Sequence, residues 1–195
     1  LYRSNAQSRA IEEALLRVSI PYRIYGGLRF YERLEIKNAI AYLRIIFNNN
    51  DNPSFERSIS NPTRGVGEKT LAKIRQAAKK FNISYIKASA KLIDEGSISG
   101  RGGSGLRDYL EFVAGCKSFI EENTLSDLME LIIKETGLYA YHAKEAGEKG
   151  KTRTENLEEL ISATKNFEQS IREDKTNIEI AESYLDIISL DSGDR

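Results

Sequence analysis

The sequence predicts a mainly α-helical protein that begins with a short strand–helix–strand segment. Three observations indicate this fold class. Apolar residues recur at helical spacing from residue 32 onward, extended segments occur only in the first two dozen residues, and clusters rich in Gly, Pro and Asn separate the apolar repeats. The 195 residues, 40% of them hydrophobic, suffice for one domain with an ordinary core, or for one domain and a piece of another.

The strand–helix–strand pattern is confined to residues 1–25. Residues 1–4 have the composition of the end of a buried strand, and Asn5 can cap a helix over residues 6–18. An extended segment at residues 22–25 follows, so we expect the edge of an α/β sheet whose other strands are absent. The apolar face of the helix comprises Ala10, Ile11, Ala14, Leu15 and Val18.

The rest of the chain is predicted to be helical. The expected helices cover residues 32–47, 54–60, 68–81, 84–95, 105–122, 125–135, 153–171 and 177–190. Thr124 and Thr152 are placed to cap two of them, and Thr152 opens a capping-box pattern with Glu155. The glycine-containing stretches 96–105 and 146–151 are predicted connectors.

A bare loop that leads into a helix is the most distinctive feature of the sequence. Pro62 ends the preceding helix, and Gly65 and Gly67 remove side chains that would hold the backbone away from a ligand. A helix amino terminus offers unpaired N–H groups and partial positive charge, so it attracts phosphate. Residues 61–80 hold six Lys or Arg and one acid, Glu68. We therefore predict a module that grips a nucleic-acid backbone, with duplex DNA as the natural partner.

The same loop has a simpler interpretation as a tight interhelical turn beside a solvated lysine face. It is not an ATP-binding phosphate loop, because Glu68 occupies the position where that motif requires Lys.

The charge distribution and residue composition exclude several classes of function. The formal net charge is zero, but residues 155–195 hold eleven acids against four bases, so charge is unevenly distributed. Cys116 and His142 are the only residues of their types, and we expect neither a metal site nor a catalytic constellation. No apolar run reaches the roughly 20 residues that span a bilayer, so we expect no membrane contact. The single cysteine fits a reducing cytoplasm. Because Leu1 replaces Met, we expect a piece of a longer protein.

Several other stretches could carry a ligand but are predicted to be structural. Residues 48–53 lack the pattern of a calcium loop and are expected to connect helices. Residues 101–105 could cradle an anion, although a flexible surface turn is favoured. Cys116 is expected to be a small buried hydrophobe. Tyr139 and Tyr141 could stack on bases, but the core is the favoured location.

Long ordered strings resemble bacterial superfamily 1A DNA helicases of the UvrD/PcrA/Rep family, its UvrD members most closely. The resemblance covers nearly the whole chain. The strings are Tyr2–Arg9, Glu12–Leu16, Ile20–Gly27, Arg29–Arg33, Glu35–Lys37, Asn61–Gly67 and Gly147–Leu160.

The resemblance implies a division into two parts. Residues 1–25 would be the edge of the RecA-like subdomain 2A, and residues 26–195 the helical subdomain 2B, with a helix-hairpin-helix-like element around the glycine loop. The parent enzyme would use ATP and Mg²⁺, translocate 3′ to 5′ on single-stranded DNA and unwind duplex. Its other subdomains, 1A, 1B and 2A, and repair proteins would be partners. This chain lacks the ATP-site motifs and is expected to be inactive alone.

The resemblance also implies the binding residues. Arg3 and Asn5 would contact single-stranded DNA, although Asn5 can equally serve as a helix cap. Val66 replaces the family's usual Ile, which preserves the shape of the loop. The expected duplex contacts are Lys37, Arg64, Gly65, Val66, Gly67, Lys69, Thr70 and Lys73. The hinges of a swivelling 2B would lie near residues 26–27 and beyond residue 190.

The sequence thus predicts the duplex-gripping, regulatory 2B subdomain of an ATP-dependent helicase that acts in DNA repair or replication. The alternative is a protein-interaction module whose acidic carboxyl-terminal helices dock repair partners, with incidental DNA contact.

Overall fold

A computed structural model describes residues 5–18, 30–171 and 174–191, with side chains except those of residues 5–9, 16, 190 and 191. All regular secondary structure in these ranges is helical, as predicted. The helices are α1 (Asn5–Arg17), α2 (Leu34–Phe47), α3 (Asn52–Ser60), α4 (Glu68–Phe81), α5 (Tyr85–Asp94), α6 (Gly100–Glu122), α7 (Leu125–Glu135), α8 (Leu138–Ala143), α9 (Glu148–Ser170) and α10 (Asn177–Asp191), with a 3₁₀ turn at Phe30–Glu32. The predicted strands at residues 1–4 and 22–25 lie outside the described residues.

Helix α2 is the centre of the core. It packs against α3, α6, α7 and α9, and ten of its residues are buried. Ile36, Leu43 and Ile45 are completely buried, and each such side chain contributes roughly 1.5–3 kcal/mol of hydrophobic stabilisation. Cys116 is also buried, as predicted, and burial raises the pKa of its thiol to about 12. No helix in the described ranges has the length and apolar character needed to cross a bilayer.

Local capping explains where two helices begin. The Asp51 carboxylate accepts a hydrogen bond from the Ser54 amide at 3.0 Å and caps α3, which begins at Asn52, two residues before the predicted start, so the connector comprises residues 48–51. Thr124 and Asp127 form a reciprocal capping box at the start of α7.

The predicted cap at Thr152 is wrong because α9 begins four residues earlier, at Glu148. Gly147 has φ +75° and provides the turn before the helix. A Cβ at Gly150 would lie 2.3 Å from the Glu145 carbonyl oxygen, so this glycine lets α9 approach the segment before it. Gly150, which suggested a connector in the sequence, is instead a helical residue required for the packing of α9.

A buried polar network joins α9 to α2. The Asn156 amide donates to Glu35 at 2.6 Å, and Arg153 lies 3.5 Å from the other Glu35 oxygen. Arg153 also donates to both Glu145 oxygens, at 2.6 and 2.8 Å. The hydrogen bond from His142 and the Arg153 guanidinium hold the pKa of Glu145 below its usual value. The polar residues of the Gly147–Leu160 string therefore have a structural role.

Much of the predicted apolar face of helix α1 is exposed. Ile11 is 49% exposed, Val18 is 62% exposed, and Ala14 is also exposed. The buried contact is made instead by Glu12, whose carboxylate accepts a hydrogen bond from the Phe30 amide at 3.1 Å. The described residues therefore leave Ile11, Ala14 and Val18 uncovered.

Aromatic residues around α8 are also more exposed than predicted. The core location is wrong for Tyr139 and Tyr141, which are 36% and 50% exposed, whereas His142 between them is buried. The Tyr139 hydroxyl donates to Glu158 at 3.0 Å.

Candidate nucleic-acid interface

The loop at residues 61–67 connects α3 to α4 and begins with a cis peptide bond before Pro62. Gly65 has φ +74°, a conformation that side chains disfavour. Val66 is buried and anchors the loop, while Gly65 and Gly67 on either side are exposed. The Gly67 carbonyl accepts hydrogen bonds from Thr70 and Leu71 at 2.9 and 3.0 Å, so Gly67 is the N-cap of α4.

Residues 65–70, which comprise the end of the loop and the first residues of α4, form a corner with backbone amides that are available to a ligand. Within the described part of the chain, no acceptor pairs with the N–H groups of residues 65–69. Gly65, Gly67, Glu68 and Lys69 are exposed, so these donors face solvent. Unpaired N–H groups at the positive end of a 14-residue helix are the structural basis of phosphate binding.

The Arg64 side chain points toward the protein interior and holds the loop through hydrogen bonds. Its guanidinium donates to the carbonyls of Pro62 and Thr136 at 2.7 and 3.0 Å, and more weakly to Ser58 at 3.4 Å. It also lies over the Tyr42 ring, 5.4 Å from its centroid. This guanidinium is committed to the protein, and we therefore expect Arg64 to shape the loop rather than to contact phosphate.

Two buried tyrosines complete the support beneath the loop. The Tyr42 hydroxyl donates to the carbonyls of Ser58 and Asn61 at 2.6 and 3.0 Å, so it holds the carboxyl end of α3. The Tyr109 hydroxyl lies 2.6 Å from the Ser58 hydroxyl, and its ring centroid is 5.9 Å from Arg64. Burial raises the pKa of both phenols, which keeps them neutral.

The loop packs against the amino-terminal glycines of α6. A Cβ at Gly105 would lie 2.1 Å from the Arg64 carbonyl oxygen, and a Cβ at Gly102 would lie 3.1 Å from that of Gly65. Residues 101–105 belong to α6, so the flexible surface turn predicted there is wrong. Their lack of side chains lets two backbones meet.

The cations near the start of α4 differ in whether a carboxylate of the protein already binds them. Lys69 is exposed and has no partner among the described residues. Lys73 is exposed and donates to the Ser97 carbonyl at 3.1 Å. Arg75 is bound by Glu56, at 2.6 and 2.7 Å, and by Glu68. These hydrogen bonds raise the pKa of Arg75, with Glu56 the larger cause. In the first two turns of α4, Lys69 and Lys73 are thus the exposed cations without a carboxylate partner among the described residues.

Thr70 and Lys37 occupy different sides of the loop. The Thr70 hydroxyl lies at the start of α4, is half-buried and has no partner in the described ranges. Lys37 is exposed on α2 and lines a cleft of about 800 Å³ together with Arg57 and Asn61. Of the loop residues, only the first, Asn61, lines this cleft, so the structure does not bring Lys37 together with Gly65 and Gly67.

The structure brings the duplex-binding candidates Gly65, Val66, Gly67, Lys69, Thr70 and Lys73 together at one corner. Their role as DNA contacts stays a prediction. The single-strand candidates are not located, since Arg3 lies outside the described residues and Asn5 is described only as the first residue of α1.

Comparison with known proteins gives this corner a context. The family described as the UvrD-like helicase C-terminal domain matches residues 1–99. The chain is 43% identical over 194 residues to DNA helicase II of Escherichia coli K12, covering 100% of this chain and 27% of that protein. It is 47% identical over 167 residues to DNA helicase II of Haemophilus influenzae, covering 86% and 23%. It is 36% identical over 191 residues to ATP-dependent DNA helicase PcrA of Leuconostoc citreum, covering 97% and 26%. The chain therefore spans about a quarter of the length of these curated relatives.

Proposed function

This chain belongs to the UvrD-like helicase family, and from that premise we propose that it is the duplex-gripping, regulatory subdomain of an ATP-dependent 3′–5′ DNA helicase. One observation carries the proposal. The N–H groups of residues 65–69 have no acceptor among the described residues, four of these five residues are exposed, and hydrogen bonds from Arg64 and Tyr42 hold the loop that carries them. A rigid set of donors binds phosphate without paying an ordering cost at the moment of binding. The proposed partner is a junction between duplex and single-stranded DNA.

In this proposal α3, the loop and α4 act as a helix-hairpin-helix-like element. The amides of Gly65 and Gly67 and the Thr70 hydroxyl bind one phosphate group, while Lys69 and Lys73 neutralise its neighbours. Lys37 reaches the same strand from α2. All these groups contact the backbone, so binding is independent of base sequence.

We further propose that residues 1–25 belong to a neighbouring RecA-like subdomain. The exposed stripe of Ile11, Ala14 and Val18 supports this boundary, because an apolar helix face is normally covered by other elements. The covering elements would come from the rest of the parent protein. Its ATP and Mg²⁺ site is assigned there too, since Glu68 replaces the lysine of a nucleotide-binding loop.

A charge introduced at Gly67 tests the proposed contact. A Cβ at this position meets nothing within 4 Å, so Gly67→Glu places a carboxylate at the corner without disturbing packing. We expect affinity for a fluorescently labelled duplex with a 3′ single-stranded tail to fall at least about tenfold, because the carboxylate repels phosphate. Fluorescence anisotropy at 50 mM salt measures this affinity.

Gly115→Glu is the matched control. Gly115 is exposed on α6, a Cβ there also meets nothing within 4 Å, and the substitution adds the same charge. It should leave affinity near the wild-type value. Equal affinities for the Gly67 and Gly115 variants would exclude the proposed site and favour a protein-interaction module.

A further inference from the structure

We propose that Arg101 is an additional DNA-contact residue, which extends the phosphate-binding corner from α4 onto α6. This inference rests on the proposed function of the loop. It adds a contact from a second helix, α6, since Arg101 is 36 residues after Gly65 in the sequence.

The position of the Arg101 side chain supports the proposal. A Cβ at Gly65 would lie 3.0 Å from Cγ of Arg101 and 3.4 Å from its Cδ. The aliphatic part of Arg101 therefore lies across the bare α-carbon of Gly65. On the next residue of α6, a Cβ at Gly102 would lie 3.8 Å from the Thr70 hydroxyl. Arg101 thus adjoins two groups of the proposed phosphate site.

The charge of Arg101 is also available. The side chain is exposed, and its guanidinium forms no hydrogen bond or ion pair with the described residues. Arg64 and Arg75 differ in this respect, because carbonyls or carboxylates occupy both. A free guanidinium next to bare backbone can bind a phosphate through two parallel hydrogen bonds.

Lys73 places a second cation near the same segment of chain. Its ammonium donates to the Ser97 carbonyl, three residues before α6 begins. Lys73 thus contacts the segment that precedes α6, and the glycine loop contacts the first turns of α6. In this proposal a nucleic-acid strand bound at Gly65 also contacts Arg101, whose side chain lies against that glycine.

The sequence alone does not reveal this role. Arg101 precedes a Gly-Gly-Ser-Gly run that suggests a flexible turn, from which no side-chain direction can be derived. The helical fold of residues 100–105 gives Arg101 a fixed place, and the glycines bring it against the loop.

The test compares Arg101→Ala with Arg107→Ala in the 195-residue chain. Both arginines are exposed on α6, but Arg107 lies six residues further along the helix. We expect Arg101→Ala to weaken binding to the tailed duplex by about tenfold at 50 mM salt and to reduce the slope of log affinity against log salt by about one. Arg101→Lys should restore most of the slope, and Arg107→Ala should match wild type. Circular dichroism melting checks that each variant is folded.

The outcomes separate this inference from the proposed function. If Arg101→Ala binds like wild type while Gly67→Glu loses binding, the role of Arg101 is wrong and the loop site stands. If neither substitution alters binding, both proposals are wrong. A loss that is equal in the Arg101 and Arg107 variants would indicate general electrostatic attraction and would also overturn the assignment of Arg101.

Discussion

Replacing Gly105 with alanine is expected to lower the free energy of unfolding by about 3 kcal/mol, the upper end of the usual cost of overpacking. The added Cβ would lie 2.1 Å from the Arg64 carbonyl oxygen and 3.1 Å from its carbonyl carbon. Backbone atoms cannot turn aside as a flexible side chain can, so either α6 or the loop must move. Urea unfolding followed by circular dichroism measures the loss, and DNA affinity should fall with it.

Two other glycines provide controls for this substitution. Gly115→Ala on the same helix meets nothing within 4 Å and should stabilise the protein by up to about 1 kcal/mol, since alanine favours helix. Gly150→Ala would place a Cβ 2.3 Å from the Glu145 carbonyl oxygen, so it should destabilise the fold without displacing the DNA-binding loop. Equal stability of the Gly105 and Gly115 variants would show that the loop does not rest on α6.

Replacing Arg64 with alanine is expected to cost about 2–4 kcal/mol. The substitution leaves the Pro62 and Thr136 carbonyls without their donor and removes a cation from the Tyr42 ring. Lys69→Ala should leave stability unchanged, because Lys69 is exposed and has no partner in the described ranges, yet it should weaken DNA binding. Thermal melting and anisotropy on both variants check this opposite pattern.

Arg64→Lys distinguishes a structural arginine from a phosphate ligand. Lysine retains the charge but cannot reach separate carbonyls with a planar fork, so most of the stability loss should persist. A variant with wild-type stability and reduced DNA affinity would instead place Arg64 at the phosphate.

The sequence predicted the parts of the fold that depend on local chemistry. The apolar repeat of α2 and the Thr124 cap can be recognised within one or two helical turns. Helix α8 was missed because its six residues are too few to show a period. The start of α6 was predicted at residue 105 instead of Gly100, because local rules cannot distinguish a glycine that breaks a helix from one that allows close packing.

The candidate site shows the same division. The positive φ of Gly65 is a conformation that glycine favours, and Gly65 and Gly67 were both predicted to leave the backbone without side chains. The direction of Arg64 depends on Thr136, 72 residues away, so no local pattern predicts that it faces inward. Helical spacing identifies the apolar positions of α1, but it does not predict that Ile11 and Val18 are exposed among the described residues.

The amide resonances of the loop provide the most direct test that exposed backbone donors bind the phosphates of duplex DNA. Titrating the ¹⁵N-labelled chain with a tailed duplex should shift the amide signals of residues 65–69 most, with smaller shifts at Lys37 and Arg101. If those five signals stay fixed while signals from α9 and α10 move, the duplex binds elsewhere and the account is wrong.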